Sequence, residues 1–266
     1  MRAIQAGFLT LVLAFFAVPI LFLVSLSFKT KDDVLSGNFL PTAITFDNWP
    51  GAFAAAPLAG YLGNSALIAI LSGLITLALT LPAAYSVLRL NQGGRWLSDA
   101  TLSSFMAPPV VAVLPLFFLL KSAGLLNTQL GLALVYGFVN VPVAWWLITP
   151  FFRKLPVEIE QAAALDGASQ WQTFRHIVLP MIAPGVAATG LIVTILAYNE
   201  FFFASAFMLS DDTRTLPVGV SLFQGDRLVN MGQMAVASLT GILPVYLAAL
   251  FLQRYLVQGL AHGGIK

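Results

Sequence analysis

Residues Pro156 to Pro184 read PVEIEQAAALDGASQWQTFRHIVLPMIAP and form the longest polar interruption in the second half of the chain. Long apolar runs lie on both sides of this stretch. Because a membrane-spanning helix must be predominantly apolar, the stretch is expected to lie outside the lipid, where another molecule can recognise it.

The composition of the whole chain indicates a membrane protein. Hydrophobic residues make up 59% of the 266 residues and charged residues only 9%, with a mean hydropathy of +0.88. Soluble domains carry charged residues at about 25%, so lipid is the expected solvent. There is no cysteine, and the histidines are His176 and His262, so no metal site is expected. The net charge is +2 without a basic cluster, so no nucleic-acid partner is expected.

Six apolar stretches are each close to the ~20 residues that a spanning helix needs. They cover roughly residues 6–28, 64–88, 101–120, 129–152, 181–209 and 234–257. The length of the first indicates an uncleaved signal-anchor. The predicted fold is an all-α polytopic membrane protein with six transmembrane helices, forming a single domain over residues 1–266.

The distribution of lysine and arginine predicts the orientation of these spans. With a cytoplasmic N-terminus, eight cationic residues lie inside, namely Arg2, Arg89, Arg95, Arg153, Lys154, Arg175, Arg254 and Lys266. Five lie outside, namely Lys29, Lys31, Lys121, Arg214 and Arg227. Most of the acidic residues also fall outside. Both termini, and a segment over residues 156–180 between spans 4 and 5, are therefore predicted to be cytoplasmic.

The first part of this segment has the signals of a short helix. Pro156 suits a first turn, and Glu158 and Glu160 favour the positive end of the helix. Residues Ala162 to Ala164 have high helix propensity and predict a nearly bare surface that another protein can approach closely. Gly167 is suited to ending the helix in a left-handed turn, directly after Asp166.

The second part of the segment has the signals of another helix. Ser169 followed by Gln172 matches a capping box. Trp171, Phe174 and Val178 recur at helical spacing and predict one apolar face. Leu179 and Pro180 are expected to end this helix before span 5 begins.

Span 5 contains the one acidic residue that lies well inside a predicted span, Glu200. Asn199 adds an amide beside it, and Tyr198 and Phe201 add aromatic faces. Such a mixture suits a solute that carries many hydroxyl groups. An equally weighted alternative is that the two polar side chains join neighbouring spans by hydrogen bonds.

Patterns typical of enzymes are absent from the sequence. There is no glycine-rich phosphate loop of the form G-x-x-x-x-G-K-[ST]. Asp211 and Asp212 lack a second acidic pair with which to hold Mg²⁺, so an acidic outer loop is the preferred interpretation. No serine or lysine nucleophile has an evident base partner. Catalysis is therefore not expected.

The stretch from residue 156 to 180 resembles the EAA loop of binding-protein-dependent ABC importer permeases. In that family the loop reads approximately E-A-A-x-x-D-G-A, then a phenylalanine, then I-x-L-P. The matching positions here are Ala162, Ala163, Asp166, Gly167, Ala168, Phe174, Ile177, Leu179 and Pro180. Gln161 stands at the glutamate position of the motif, and Glu160 lies one residue upstream.

Other segments resemble the carbohydrate branch of the family, in particular its maltose-permease-like second membrane subunit. These segments are NSALIAILSGLITLALTLPAAYSVLRL from Asn64, GLLNT from Gly124, YNEF from Tyr198, TLPVGV from Thr215 and QGLAHGGIK from Gln258. The resemblance implies a subunit, in the bacterial inner membrane, of an ATP-driven importer of a sugar or sugar-like solute. The implied partners are a second permease subunit, two ATPase subunits that bind ATP and Mg²⁺, and a periplasmic or lipid-anchored solute-binding protein.

The resemblance also implies roles for individual residues. The matching residues of the EAA-like loop other than Ile177, together with Glu160 and Gln161, would contact the ATPase. The loop from Asp211 to Met231 would contact the binding protein. Tyr198, Asn199, Glu200 and Phe201 would lie along the solute pathway. An alternative class is a self-contained secondary carrier that couples solute to H⁺ or Na⁺ through Glu200, for which repeat symmetry between the two halves is expected but not evident.

Overall fold

A computed structural model describes residues 2–92, 96, 99–101, 103, 108–224 and 230–264. Within these ranges the regular structure is helical apart from one isolated bridge between Lys29 and Ile44. The helices are α1 Arg2–Ser27, α2 Lys31–Val34, α3 Asn48–Ala55, α4 Leu58–Leu88, α5 Pro109–Ser122, α6 Gln129–Val139, α7 Val141–Lys154, α8 Val157–Leu165, α9 Gln170–Met181, α10 Ala183–Tyr198, α11 Phe202–Phe207, α12 Leu216–Ser221 and α13 Met231–Gly264. The predicted all-α class is confirmed for this part of the chain.

Among the described residues, three helices contain segments long and apolar enough to cross a membrane alone. These segments are Gln5–Ser27, Leu58–Leu88 and Met231–Leu250, with mean hydropathies of 2.7, 2.2 and 1.6. They lie in α1, α4 and α13 and coincide with the first, second and sixth predicted spans.

Two further candidates are bent pairs of helices. The pair α6 and α7 covers the fourth predicted span and bends by 48° at Asn140. Pro142 lies in the first turn of α7, where a missing N–H costs no helical bond. The pair α9 and α10 bends by 79° at Ile182, where the polar segment meets the apolar helix.

The number of spans stays a prediction. The third predicted span is covered in part by α5, which has 14 residues, while residues 104–107 lie outside the described part of the chain. The fifth predicted span is not one continuous helix, because α10 ends at Tyr198 and α11 begins at Phe202.

The chain divides into two compact units. One contains residues up to Gly63 together with Arg214–Tyr246. Within it, Asn48 is buried and donates hydrogen bonds to the carbonyls of Ser27 (3.1 Å) and Lys29 (2.8 Å), which fixes the start of α3 against the end of α1.

The other unit contains Asn64–Thr213 and the chain from Leu247. Its helices approach closely at small residues, as is usual for helices in membranes. A Cβ on Gly190 of α10 would lie 2.9 Å from Leu77 of α4. Thr76 donates a hydrogen bond of 2.9 Å to the carbonyl of Gly137, which joins α4 to α6. The second unit also contains the polar segment, residues 156–184.

Candidate functional site

The first helix of the polar segment, α8, begins and ends at the predicted signals. Pro156 is extended (ψ 132°) and directly precedes the helix, and Glu158 and Glu160 lie in its first turn. Gly167 has φ +85°, the left-handed conformation that favours glycine. Its N–H donates to Ala164 O (3.1 Å), and the N–H of Ala168 donates to Ala163 O (3.0 Å). These two bonds form a Schellman motif, which satisfies carbonyls at the end of the helix.

The second helix, α9, begins with the predicted capping box. The N–H of Ser169 donates to Gln172 Oε1 (2.8 Å), and the N–H of Gln172 donates to Ser169 Oγ (3.3 Å). The two residues thus satisfy each other's backbone donors at the helix start.

The middle of α9 differs from the prediction. Residues Phe174–Val178 form a π-helical turn, and the helix continues through Leu179 and Pro180 to Met181. Pro180 has no N–H to donate and clashes with an α-helical carbonyl four residues earlier. The wider turn, which ends two residues before Pro180, accommodates this proline, and the helix runs one residue beyond the predicted end at Pro180.

One face of α9 packs into the core of the second unit. Phe174 and Val178 are buried, and the ring of Phe174 lies 5.0 Å from that of Tyr85 on α4. The surrounding cluster consists of Leu81, Ala84, Tyr85, Trp145, Ile148, Phe152, Phe174, Val178 and Ile182. The segment is therefore packed directly against α4 and α7. Trp171 departs from the predicted apolar face because it remains 60% exposed, although its ring lies 5.4 Å from Phe174.

The alanine surface of α8 is only partly bare. Ala162 and Ala164 are exposed, whereas Ala163 is buried, so the expectation of a free surface is wrong at Ala163. Leu165 is 90% exposed, and sequence reasoning missed it. Leu165 lies three and four residues after Ala162 and Gln161, which the resemblance had assigned to the ATPase contact, and this helical spacing was the available signal.

Glu160 is paired within the chain. Its Oε1 lies 2.6 Å from Nε and 2.5 Å from Nη2 of Arg89, which directly follows α4. Gln161, by contrast, is exposed, as is Asp166. At the start of the motif Glu160 is thus covered by an ion pair within the chain, whereas the neighbouring Gln161 is exposed. Sequence reasoning did not identify Arg89 as the partner.

The second predicted site lies at the break between α10 and α11. The carboxylate of Glu200 accepts hydrogen bonds from the N–H groups of Phe202 (2.8 Å) and Phe203 (3.0 Å). Tyr136 on α6 donates to Glu200 Oε2 at 2.5 Å. Glu200 therefore accepts the free N–H groups at the start of α11 and joins that start to α6 through Tyr136.

The neighbours of Glu200 face different environments. Asn199 donates from Nδ2 to Ile195 O (2.8 Å) at the end of α10 and is exposed. Tyr198 is buried, whereas Phe201 is exposed. Asn199 and Phe201 thus lie at the surface of the described chain, whereas the Tyr198 side chain at the end of α10 is covered. In the described part of the chain, His, Cys, Asp and Glu form no cluster of three that could hold a metal ion.

Apolar helices of membrane-spanning length, with a polar helical segment packed against α4 and α7, indicate an integral membrane protein. A sequence profile described as the binding-protein-dependent transport system inner membrane component matches residues 77–262. The chain belongs to this family. The family supplies the inner-membrane permease of ABC importers, and a separate subunit hydrolyses ATP, so the resemblance noted from the EAA-like loop is confirmed.

Relatives match along almost the whole chain. The trehalose transport system permease protein SugB of Mycobacterium tuberculosis is 34% identical over 260 residues, covering 97% of this chain and 95% of the relative. The sulfoquinovosyl glycerol transport system permease protein SmoH of Agrobacterium fabrum is 34% identical over 267 residues, covering 100% of this chain and 93% of the relative.

A solved structure has a similar fold. A bacterial ABC transporter involved in the import of the acidic polysaccharide alginate has a chain that matches with a TM-score of 0.77 at 19% identity, covering 96% of this chain and 95% of that one.

Proposed function

We propose that the chain is one of two membrane subunits of an ABC importer that moves a sugar or sugar-like solute into the cytoplasm. Two separate ATPase subunits would bind ATP and Mg²⁺, and a periplasmic or lipid-anchored binding protein would deliver the solute. The names of the relatives support a sugar-like solute, since one contains trehalose and the other a sulfoquinovosyl glycerol. The proposal includes six spans with both termini in the cytoplasm.

The observation that carries the proposal is the two-sided packing of the α8 and α9 pair. One side of the pair is buried against α4 and α7 through Phe174 and Val178. The other side exposes Gln161, Ala162, Ala164 and Leu165. Small side chains allow close approach, and an exposed leucine gains from burial. We define these four residues as the docking surface and assign it to a groove on one ATPase subunit.

The docking surface gives a route for coupling. Closure of the two ATPase subunits on ATP would displace α8 and α9, and their buried side would carry that displacement to α4 and α7. A ligand shifts such an equilibrium only if it binds the two states differently. The docking contacts must therefore differ between the inward-open and outward-open states.

The solute pathway is assigned to the break after α10. Asn199 offers an amide and Phe201 an aromatic face, both exposed. Glu200 and Tyr198 would support the pathway without contacting the solute. The carboxylate of Glu200 is already hydrogen-bonded to Tyr136 and to the start of α11, and Tyr198 is buried. On the outside, the loop from Asp211 to Met231 is assigned to the binding protein; its residues 225–229 lie outside the described part of the chain.

The test is ATP-dependent uptake by the complete transporter in proteoliposomes, with Leu165→Glu as the decisive variant. The matched control is Leu35→Glu, because Leu35 is 84% exposed and directly follows the short helix α2, on the side predicted to face outward. We expect Leu165→Glu to abolish copurification of the ATPase and uptake, with the control unchanged. Full uptake by Leu165→Glu would overturn the docking assignment, and uptake by the chain without an ATPase would overturn the proposed function.

A further inference from the structure

Arg89 joins three structural elements with one side chain. It directly follows α4, and its N–H donates to Tyr85 O (3.0 Å), which continues the helical ladder. Its Nε donates to Glu160 Oε1 in the first turn of α8 (2.6 Å). Its Nη1 donates to the carbonyls of Phe152 (3.3 Å) and Leu155 (3.1 Å) at the end of α7.

The pair formed by Arg89 and Glu160 is largely shielded from water. The two side chains are only 8% and 14% exposed. Because Glu160 is engaged and covered, it is not available for an ion pair with another subunit. Arginine suits this position better than lysine, since its fork of donors serves a carboxylate and two helix-end carbonyls at once.

The polar segment makes a second contact with α4, through Tyr85. Tyr85 lies four residues before Arg89, so both residues are on one face of the helical ladder. The ring of Tyr85 lies 5.0 Å from Phe174 on α9. The end of α4 thus contacts α8 through the Arg89–Glu160 ion pair and α9 through the packing of the Tyr85 and Phe174 rings.

We infer that Arg89 and Glu160 are positioning residues that make α8 and the end of α4 move as one body, so that displacement of the docking surface reaches the transmembrane helix. This inference rests on the proposed function. The role differs from that of a docking residue: loss of the pair uncouples ATP hydrolysis from transport while leaving the ATPase bound. It also differs from general stabilisation, which would alter transport and hydrolysis together.

The first test compares Glu160→Gln with Glu158→Gln in the complete transporter. Both residues lie in the first turn of α8, but Glu158 is exposed. We expect Glu160→Gln and Arg89→Met to retain the ATPase and hydrolyse ATP, while solute moved per ATP falls several-fold. Glu158→Gln should keep the original ratio. An unchanged ratio in Glu160→Gln would overturn the inference.

The second test does not depend on variants of the pair. Since the chain has no cysteine, Glu158→Cys and Gln92→Cys allow spin labels on α8 and just beyond α4. The N–H of Gln92 donates to Ser86 O (3.0 Å), so this label reports on the end of α4. We expect the same distance in nucleotide-free and ATP-bound transporter. If the distance between the two labels changes while ATP-dependent uptake is intact, the inference is wrong but the proposed function stands. Absence of ATP-dependent uptake would overturn the proposed function.

Discussion

Tyr136 Oη lies 2.5 Å from Glu200 Oε2, although the two residues are 64 positions apart in the chain. The same carboxylate accepts the N–H groups of Phe202 and Phe203 at the start of α11. A carboxylate at the start of a helix is favoured by its orphan N–H donors and by the helix dipole. The acidic residue in the predicted fifth span therefore stabilises a break in that span.

This geometry predicts a stability cost when either partner is removed. Glu200→Gln places an NH₂ group against backbone donors, and Tyr136→Phe removes the hydroxyl donor. We expect each change to lower the free energy of unfolding by about 1–3 kcal/mol. In a double-mutant cycle the two losses should be non-additive, with a coupling of about 0.5–3 kcal/mol. Thermal unfolding of the purified complex in detergent measures both quantities.

Asn199→Ala is the control for that cycle. Asn199 is exposed and bonds only locally to Ile195 O among the bonds that the structure describes. We expect its removal to change stability by less than about 1 kcal/mol while weakening solute affinity. Additive losses for Glu200 and Tyr136 would contradict the assigned pair. Unchanged solute affinity in Asn199→Ala would remove this residue from the proposed pathway.

Local signals in the sequence predicted the ends of α8 and the start of α9, because those ends depend on residues within a few positions. Gly167 and the Ser169–Gln172 pair are such cases. The signals did not distinguish buried Ala163 from exposed Ala162, since both have the same helix propensity and only packing separates them. The Arg89–Glu160 pair spans 71 positions, and sequence spacing carries no information about such contacts.

Gly167 should be sensitive to substitution for a purely conformational reason. A Cβ at this position would meet nothing within 4 Å, but φ is +85°. Gly167→Ala should therefore cost about 1–2 kcal/mol and loosen the end of α8 next to the docking surface. We expect reduced stimulation of ATP hydrolysis by the loaded binding protein. Gly167→Asn should be milder, because asparagine tolerates the left-handed region.

Gly37→Ala is the matched control, since Gly37 has φ +72° and an equally open surrounding. The same strain there should leave the stimulation of ATP hydrolysis unchanged. Equal losses in Gly167→Ala and Gly37→Ala would show that strain in general, rather than the end of α8, limits the transporter.

Asn127 should order the loop that follows α11. It has φ +60°, and its Oδ1 accepts hydrogen bonds from Leu209 N (2.7 Å) and Thr213 Oγ1 (2.6 Å). Asn127→Gly tolerates the backbone conformation but loses the acceptor. Asn127→Asp keeps an oxygen at that position. We expect amide exchange at Leu209 to accelerate about tenfold in Asn127→Gly, corresponding to about 1.4 kcal/mol, and much less in Asn127→Asp. Equal exchange in the two variants would contradict this role.

Asp33, in the segment between α1 and α3, should make that segment sensitive to acid. Its Oδ2 accepts a hydrogen bond from the N–H of Thr42 (2.7 Å), and this bond, with further help from Ser36 and the charge of Lys29, lowers the pKa of Asp33. A carboxyl whose pKa is lower in the folded state stabilises that state above its unfolded pKa of about 3.9. The contribution is lost as the pH falls through the lowered, folded pKa.

The measurement is the chemical shift of the Thr42 amide as a function of pH, in protein labelled at threonine. We expect a midpoint below about 3.9, because the hydrogen bond opposes protonation of the carboxylate. Asp33→Asn should remove this titration, whereas Asp32→Asn should retain it, since Asp32 is exposed beside Asp33 on α2. A midpoint at or above the ordinary aspartate value, or a titration that persists in Asp33→Asn, would assign the effect to another group.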